Sequence, residues 1–201
     1  LFDRSLYGGY TDYLARRLHS FSLARQDTSG DTARLLALQN ADGGWGVAPG
    51  YQSSALDTAL ALLALQGQSS DNANARATGL AYLLAQQNAD GGWGNLAGGV
   101  SRTSVSATVL QVLVAQQASS AVRERVVAFL AGRQNADGGF GDSPSTVHDT
   151  AQVVLALVAQ NALMAIRPDA AFSWVASAQQ SDGSWDGSVF STALALRLLQ
   201  S

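Results

Sequence analysis

The feature that most constrains this chain is an eight-residue segment that returns at a nearly fixed interval. Residues 39–46 read Gln-Asn-Ala-Asp-Gly-Gly-Trp-Gly, residues 87–94 repeat them, and residues 134–141 differ only in carrying Phe for Trp. A shortened copy, Gln-Ser-Asp-Gly-Ser-Trp, occupies residues 180–185. The Asp positions 42, 90, 137 and 182 lie 48, 47 and 45 residues apart. That interval is too long for one helix and suits a helical hairpin with two turns, so each period is expected to hold two helices.

Hydrophobic patterning assigns the two helices different environments. Ahead of the motif the sequence is amphipathic, clearest in residues 122–130, where Val122, Val126, Phe129 and Leu130 share a face and the charges point away. Behind the motif it is apolar nearly all round, in residues 55–65, 105–114, 150–158 and 192–199. Helices of the second kind must be buried on most sides. Ser53 and Ser54, Ser101 and Thr103, Ser145 and Thr146, and Ser188 stand near their starts as candidate N-caps. Polar-faced outer helices around apolar inner ones, in consecutive antiparallel pairs, make an all-α class of repeated hairpins. A further N-terminal helix is expected over residues 6–23, followed by a turn and cap at 27–31, for about nine helices. The expected organisation is therefore an N-terminal segment, 1–27, and four hairpin repeats of about 47 residues, 28–201, in a single domain.

Composition removes several kinds of chemistry. With no Cys the chain has no disulfide, thiolate zinc site, iron–sulfur cluster or catalytic thiol. A net charge of −3, from 12 basic and 15 acidic side chains, gives no footprint for nucleic acid. The low charged fraction, 13% against 47% hydrophobic, fits wide buried helix faces, because Gln, Ser or Thr breaks every apolar run well short of the ~20 residues of a membrane span. The basic residues are all Arg and Glu124 is the sole Glu, a bias that identifies no activity. The opening Leu1, with no signal-peptide pattern behind it, suggests a processed protein or an excised fragment.

The repeated turn has a structural logic. Gly43-Gly44 and their counterparts permit positive φ and close approach behind a helix C-terminus, and the preceding Asn-Ala-Asp can fold back onto nearby amides. Trp45, Trp93, Phe140 and Trp185 then plug the space between hairpins. These rings could instead line a ligand pocket, but one fixed place in every repeat favours packing. A calcium loop is a poor match, since the first acidic ligand would fall on Leu38 and no Glu closes any copy.

Gln, a short spacer, Asp-Gly-Gly-Trp/Phe-Gly and then a helix opening with Asp-Thr-Ala resemble the repeats of the prenyltransferase and squalene-cyclase superfamily, over residues 28–201. The resemblance implies an α/α toroid, an architecture shared by terpene cyclases, protein prenyltransferases, the thioester domains of macroglobulin and complement proteins, and cobalamin carriers. A closed ring of six such hairpins takes roughly 280 residues at this period, so the expected ring is incomplete and its open edges are expected to mark an interaction surface.

Each activity that the resemblance implies can be tested against residues. Class II terpene cyclases carry Asp-x-Asp-Asp-Thr-Ala, whose middle Asp protonates the substrate. Here the stretch is Thr146-Val147-His148-Asp149-Thr150-Ala151, with His148 at the donor position. The first repeat reads Ser54-Ala55-Leu56-Asp57-Thr58-Ala59 and lacks both upstream acids. A zinc site of the prenyltransferase kind cannot be assembled without Cys and with only His19 and His148, and the macroglobulin thioester also needs Cys. His148 beside Asp149 reads either as an acid and base pair at the rim or as a residue next to helix-capping Asp149 and Asp57. His19, in a basic segment, reads as solvated or docking, and Met164 as packing before a turn.

The first expectation is a non-catalytic toroid repeat module, binding a protein or ligand within a larger, extracytoplasmic bacterial protein and holding no metal or cofactor. The alternatives are a divergent terpene-cyclase-like enzyme acting on an isoprenoid, with His148, Asp149 and Asp57 as its site residues, and a carrier of a hydrophobic or cobalamin-like ligand.

Overall fold

A computed structural model describes residues 9–68 and 72–201. Among these residues every extended element is helical, and strand geometry is confined to isolated bridges such as Gln39 with Trp45 and Trp45 with Ser54. The described residues form two compact units, those up to 87 with 93–100, and 88–92 with 101–201.

The first unit contains α1 (Thr11–Leu23), α2 (Ser29–Ala37), α3 (Ala55–Leu65) and α4 (Ala73–Ala85). Here α3 is the apolar helix, burying Ala55, Thr58, Ala59, Ala61, Leu62, Ala64 and Leu65, and it contacts both α1 and α4. The polar-faced helices bury much less, as expected of outer helices: α2 buries Asp31 and Leu35, α4 Gly79, Tyr82 and Leu83. Among the described residues the helix expected over 6–23 is α1 from Thr11, whose amide donates to the Val47 carbonyl at 3.0 Å and whose hydroxyl donates to the Gly46 carbonyl at 2.6 Å. Residues 6–8 of that expectation lie outside the described residues. The expected turn at 27–31 is shorter, since Asp27 accepts the Ser29 amide and the helix is already under way at Ser29.

The second unit contains α5 (Thr103–Ala115), α6 (Ser120–Ala131), α7 (Val147–Ala159), a 3-10 turn at Leu163–Ala165, α8 (Pro168–Ser177) and α9 (Val189–Leu199). Apolar α5 packs on α7 and α7 on α9, with α6 against α5 and α8 against α7 and α9. As its pattern predicts, α6 buries Val126, Phe129 and Leu130 and turns Glu124 and Arg125 outward. Met164 is exposed, not packed, because the 3-10 turn buries none of its side chains. The other departure is α9: its sequence is apolar nearly all round, yet only Ser191, Ala195 and Leu198 are buried.

Three of the expected N-caps act as such. The hydroxyls of Ser54, Thr146 and Ser188 accept the amides of Asp57, Asp149 and Ser191. Helix α5 instead has Arg102, which offers no acceptor, at that position and so no side-chain cap, while Ser101 bonds Asp90 as Ser53 bonds Asp42.

Candidate functional site

The repeated turns are one candidate site, and the Asn and Asp side chains of the first three are bonded within the turns. In the first turn Asp42 Oδ1 accepts the Gly44 amide at 2.9 Å and the Ser53 hydroxyl at 2.7 Å, while Asn40 Nδ2 donates to Ser53 Oγ at 2.9 Å. The same Asn–Ser–Asp triangle recurs in Asn88, Ser101 and Asp90, and in Asn135, Ser145 and Asp137. The Asp thus makes the expected Asx turn, whereas the Asn reaches across the turn to the Ser hydroxyl.

Aromatic residues clasp the turn to the helices on either side. The Trp45, Trp93 and Trp185 rings are wholly buried, and their indole N–H groups donate to the carbonyls of Leu35, Leu83 and Val175 at 2.6–2.7 Å. Phe140 fills the same place without a donor and is equally buried. Main-chain amides of residues 45, 140 and 185 donate to the hydroxyls of Thr58, Thr150 and Thr192, which explains the Thr of the Asp-Thr-Ala segments. Each of these four rings is enclosed by its own turn and helices.

The fourth turn corrects the sequence alignment. Gln179, not Gln180, is the counterpart of Gln39, because Gln179 Nε2 donates to the Gly183 carbonyl as Gln39 Nε2 does to Gly43. Ser184 stands where the other turns have their second Gly, and its own hydroxyl donates to Asp182 Oδ1 at 2.7 Å. A Cβ on Gly44 would lie 2.6 Å from Ser53 Cβ. Side chain and hydroxyl have therefore changed places between two positions while the bond to Asp is kept.

The second candidate lies at the N-terminal ends of the apolar helices. In the second unit His148 Nδ1 is 3.2 Å from Asp149 Oδ1, and the imidazole stacks on Phe190 of α9 with ring centroids 5.8 Å apart. Burial works against ionisation of Asp149, but hydrogen bonds from His148, Thr146 and Ser104 and the His148 charge outweigh it and hold the carboxyl below its ordinary value. In the first unit Asp57 shows the opposite balance. Burial raises its pKa, the Ser54 hydroxyl opposes the rise, and the charge of Asp12 adds to it. Ser54 and Asp57 form a reciprocal cap, hydroxyl to carboxylate at 2.6 Å and amide to hydroxyl at 2.9 Å. Sequence reasoning paired His148 with Asp149 but missed Phe190 and Ser104, which come from other helices at the same register position as His148.

A separate cavity of about 650 Å³ opens beside α1 in the first unit, lined by Tyr10, Tyr13, Phe21, Val47, Arg16 and Arg17 among others. Arg17 pairs with Asp31 at 3.0 Å and lies over the Phe21 ring. His19 is exposed on the same helix. Among the described residues no three His, Asp or Glu side chains gather as metal ligands, and no helix is long and apolar enough to cross a membrane.

The family model described as the prenyltransferase alpha-alpha toroid domain matches residues 13–147 and 108–198. Among solved structures the chain is similar to ent-copalyl diphosphate synthase from Streptomyces platensis, with 19% identity and a TM-score of 0.59. That similarity covers 84% of this chain and 38% of the synthase chain, so the chain spans well under half the length of that relative. Comparison with curated proteins gave no match.

Proposed function

Because this chain belongs to the prenyltransferase α/α-toroid family, whose fold fixes an architecture and leaves the activity open, we propose that it works as a non-catalytic domain that binds a protein or ligand. On this reading residues 28–201 are four hairpin repeats following the N-terminal segment 1–27. The observation that carries the proposal is the donor position of the motif, where His148 stands in place of the middle Asp, with its imidazole 3.2 Å from Asp149 and stacked on Phe190. The retained Thr150 is bonded to the Phe140 amide. Protonating an alkene calls for a carboxylic acid at that position, which this sequence lacks.

Native mass spectrometry of the protein from its natural host, together with product analysis after incubation with squalene or geranylgeranyl diphosphate, tests the reading. A retained partner or ligand without turnover is expected. A cyclised product whose formation stops in His148→Ala would overturn it. Such a product would support a second reading, a divergent terpene-cyclase-like enzyme, which draws on the contact of His148 with Asp149 and Phe190.

A further inference from the structure

The sequence holds five Asp-Gly steps, at 42–43, 90–91, 137–138, 182–183 and 186–187. This dipeptide carries a chemistry of its own, because a glycine without Cβ lets its amide nitrogen reach the carboxyl carbon of the preceding Asp and close a ring. Ring closure requires a nitrogen that no hydrogen bond holds in place, a carboxyl group free of donors, and a backbone able to rotate at the Asp.

In the four repeated turns both reacting groups are held. The amides of Gly43, Gly91, Gly138 and Gly183 donate to the carbonyls of Asn40, Asn88, Asn135 and Gln180 at 2.9–3.0 Å. The carboxylates of Asp42, Asp90, Asp137 and Asp182 accept the amides of Gly44, Gly92, Gly139 and Ser184 at 2.9–3.0 Å. A hydroxyl adds a second donor to each carboxylate, from Ser53, Ser101, Ser145 and Ser184 in turn. At Asp182 the Ser184 amide and then its hydroxyl hold the carboxyl below its ordinary value. That disfavours the protonated form, in which an amide attacks a carboxyl carbon.

The step at 186–187 differs. Asp186 and Gly187 have φ of +55° and +58° and are the central residues of a two-residue turn, closed by the Ser188 amide donating to the Trp185 carbonyl at 3.0 Å. Positive φ at both central positions is what a type I′ turn requires, and Asp-Gly is among its preferred sequences. Both residues are exposed. Among the described residues the Gly187 amide has no acceptor and the Asp186 carboxylate has no donor.

We propose that Asp186–Gly187 is a site of spontaneous modification, isomerising to an isoaspartyl linkage in the folded protein and loosening the tie between the Trp185 turn and α9. The Gly187 nitrogen attacks Asp186 Cγ, the N–Cγ bond forms, and a carboxyl oxygen leaves as water with the amide and carboxyl protons. Water then adds back to one of the two ring carbonyls. Opening at the main-chain carbonyl leaves the chain running through Cβ and Cγ beside a free α-carboxylate, and opening at the other restores Asp. No oxidant, reductant or second substrate enters. The lengthened link lies between the partners of two bonds, Ser188 amide to Trp185 carbonyl and Trp185 amide to the Thr192 hydroxyl of α9 at 3.0 Å. This chemistry is the same whether the chain binds or catalyses.

Ageing the full 201-residue chain at neutral pH in water enriched in heavy oxygen, followed by digestion in ordinary water, tests the site. Each passage through the ring places heavy oxygen in the Asp, and electron-transfer fragmentation separates isoaspartate from Asp. Label should enter at Asp186 about tenfold or more faster than at the other four, where two or more hydrogen bonds to the reacting groups must open first. In urea the five rates should converge. Gly187→Ala, whose Cβ meets nothing within 4 Å, should slow labelling at Asp186 and leave the other four unchanged. The Trp185 and Ser188 amides should lose hydrogen-exchange protection in step with isoaspartate. Equal labelling of all five steps in the folded chain would overturn the proposal. So would label at Asp186 without isoaspartate, or isoaspartate there with the Trp185 and Ser188 amides still protected.

Discussion

The Trp45 indole N–H donates to the carbonyl of Leu35, ten residues earlier, at 2.7 Å, and that carbonyl also accepts the Leu38 amide at the end of α2. The ring therefore ties the turn to the helix before it, while the Trp45 amide ties it to Thr58 in the helix after it. Trp45→Phe keeps the second tie and leaves the Leu35 carbonyl with its remaining partner. The expected loss is about 1–3 kcal/mol, from one net hydrogen bond and the missing ring volume, read from urea unfolding.

The exchange of Gly and Ser between turns gives a sharper test. Gly44→Ser alone forces a Cβ against Ser53 and should cost about 1–3 kcal/mol. Ser53→Gly alone removes the hydroxyl that joins Asn40 to Asp42 and should cost a similar amount. The double variant rebuilds the arrangement found at Ser184 and should recover most of both losses. A double-mutant cycle measures this directly, and simple additivity would refute the exchange.

Gly91 and Gly183 share positive φ, +87° and +84°, but differ in what surrounds them. Substitution by Ala should cost about 1–2 kcal/mol at Gly183, for backbone conformation alone. At Gly91 the loss should be larger, because the new Cβ meets the Arg125 carbonyl at 2.5 Å. Thermal unfolding of the two variants checks the order.

Asp57 and Asp149 should respond to pH in opposite directions. The Asp149 carboxyl lies below its ordinary value, so its contribution to stability is complete above the ordinary carboxylate range and is lost as pH falls toward the folded value. Asp57 lies above its ordinary value, so it opposes folding at neutral pH, and the opposition is relieved as pH falls through its folded value. Asp149→Asn should destabilise at pH 7 and flatten the acid limb of the stability curve. Asp57→Asn, which still accepts the Ser54 hydroxyl, should be neutral or stabilising at pH 7. Unfolding free energies from pH 3 to 7 decide both.

Much of this architecture is legible in the residues because period and hydrophobicity act locally. The apolar stretch 55–65 coincides with α3, and Ser54, Thr146 and Ser188 cap as their positions suggest. Ser101 and Arg102 were not legible as they are, since which Ser caps and which closes the turn depends on the distance to Asp90 in three dimensions. Gln179 was missed because its neighbour Gln180 offers the same residue type one position closer to Asp182. At the candidate site, His148 and Asp149 are neighbours in sequence, but Phe190 reaches His148 only through the packing of α9 on α7. The exposure of α9 could not be read from its composition, because an apolar helix looks the same whether or not another element covers it.

The aromatic clasps of Trp45 and Trp185 each find both their acceptor and their hydroxyl partner within about half a period, from Leu35 to Thr58 in the first copy and from Val175 to Thr192 in the last. A duplication or loss of one whole period therefore carries every such bond with it and asks for a new fit only where one turn meets the next helix. Growth by whole hairpins is the change in length that this bonding pattern tolerates, whereas an insertion of a few residues between Leu35 and Thr58 would separate a donor from its acceptor.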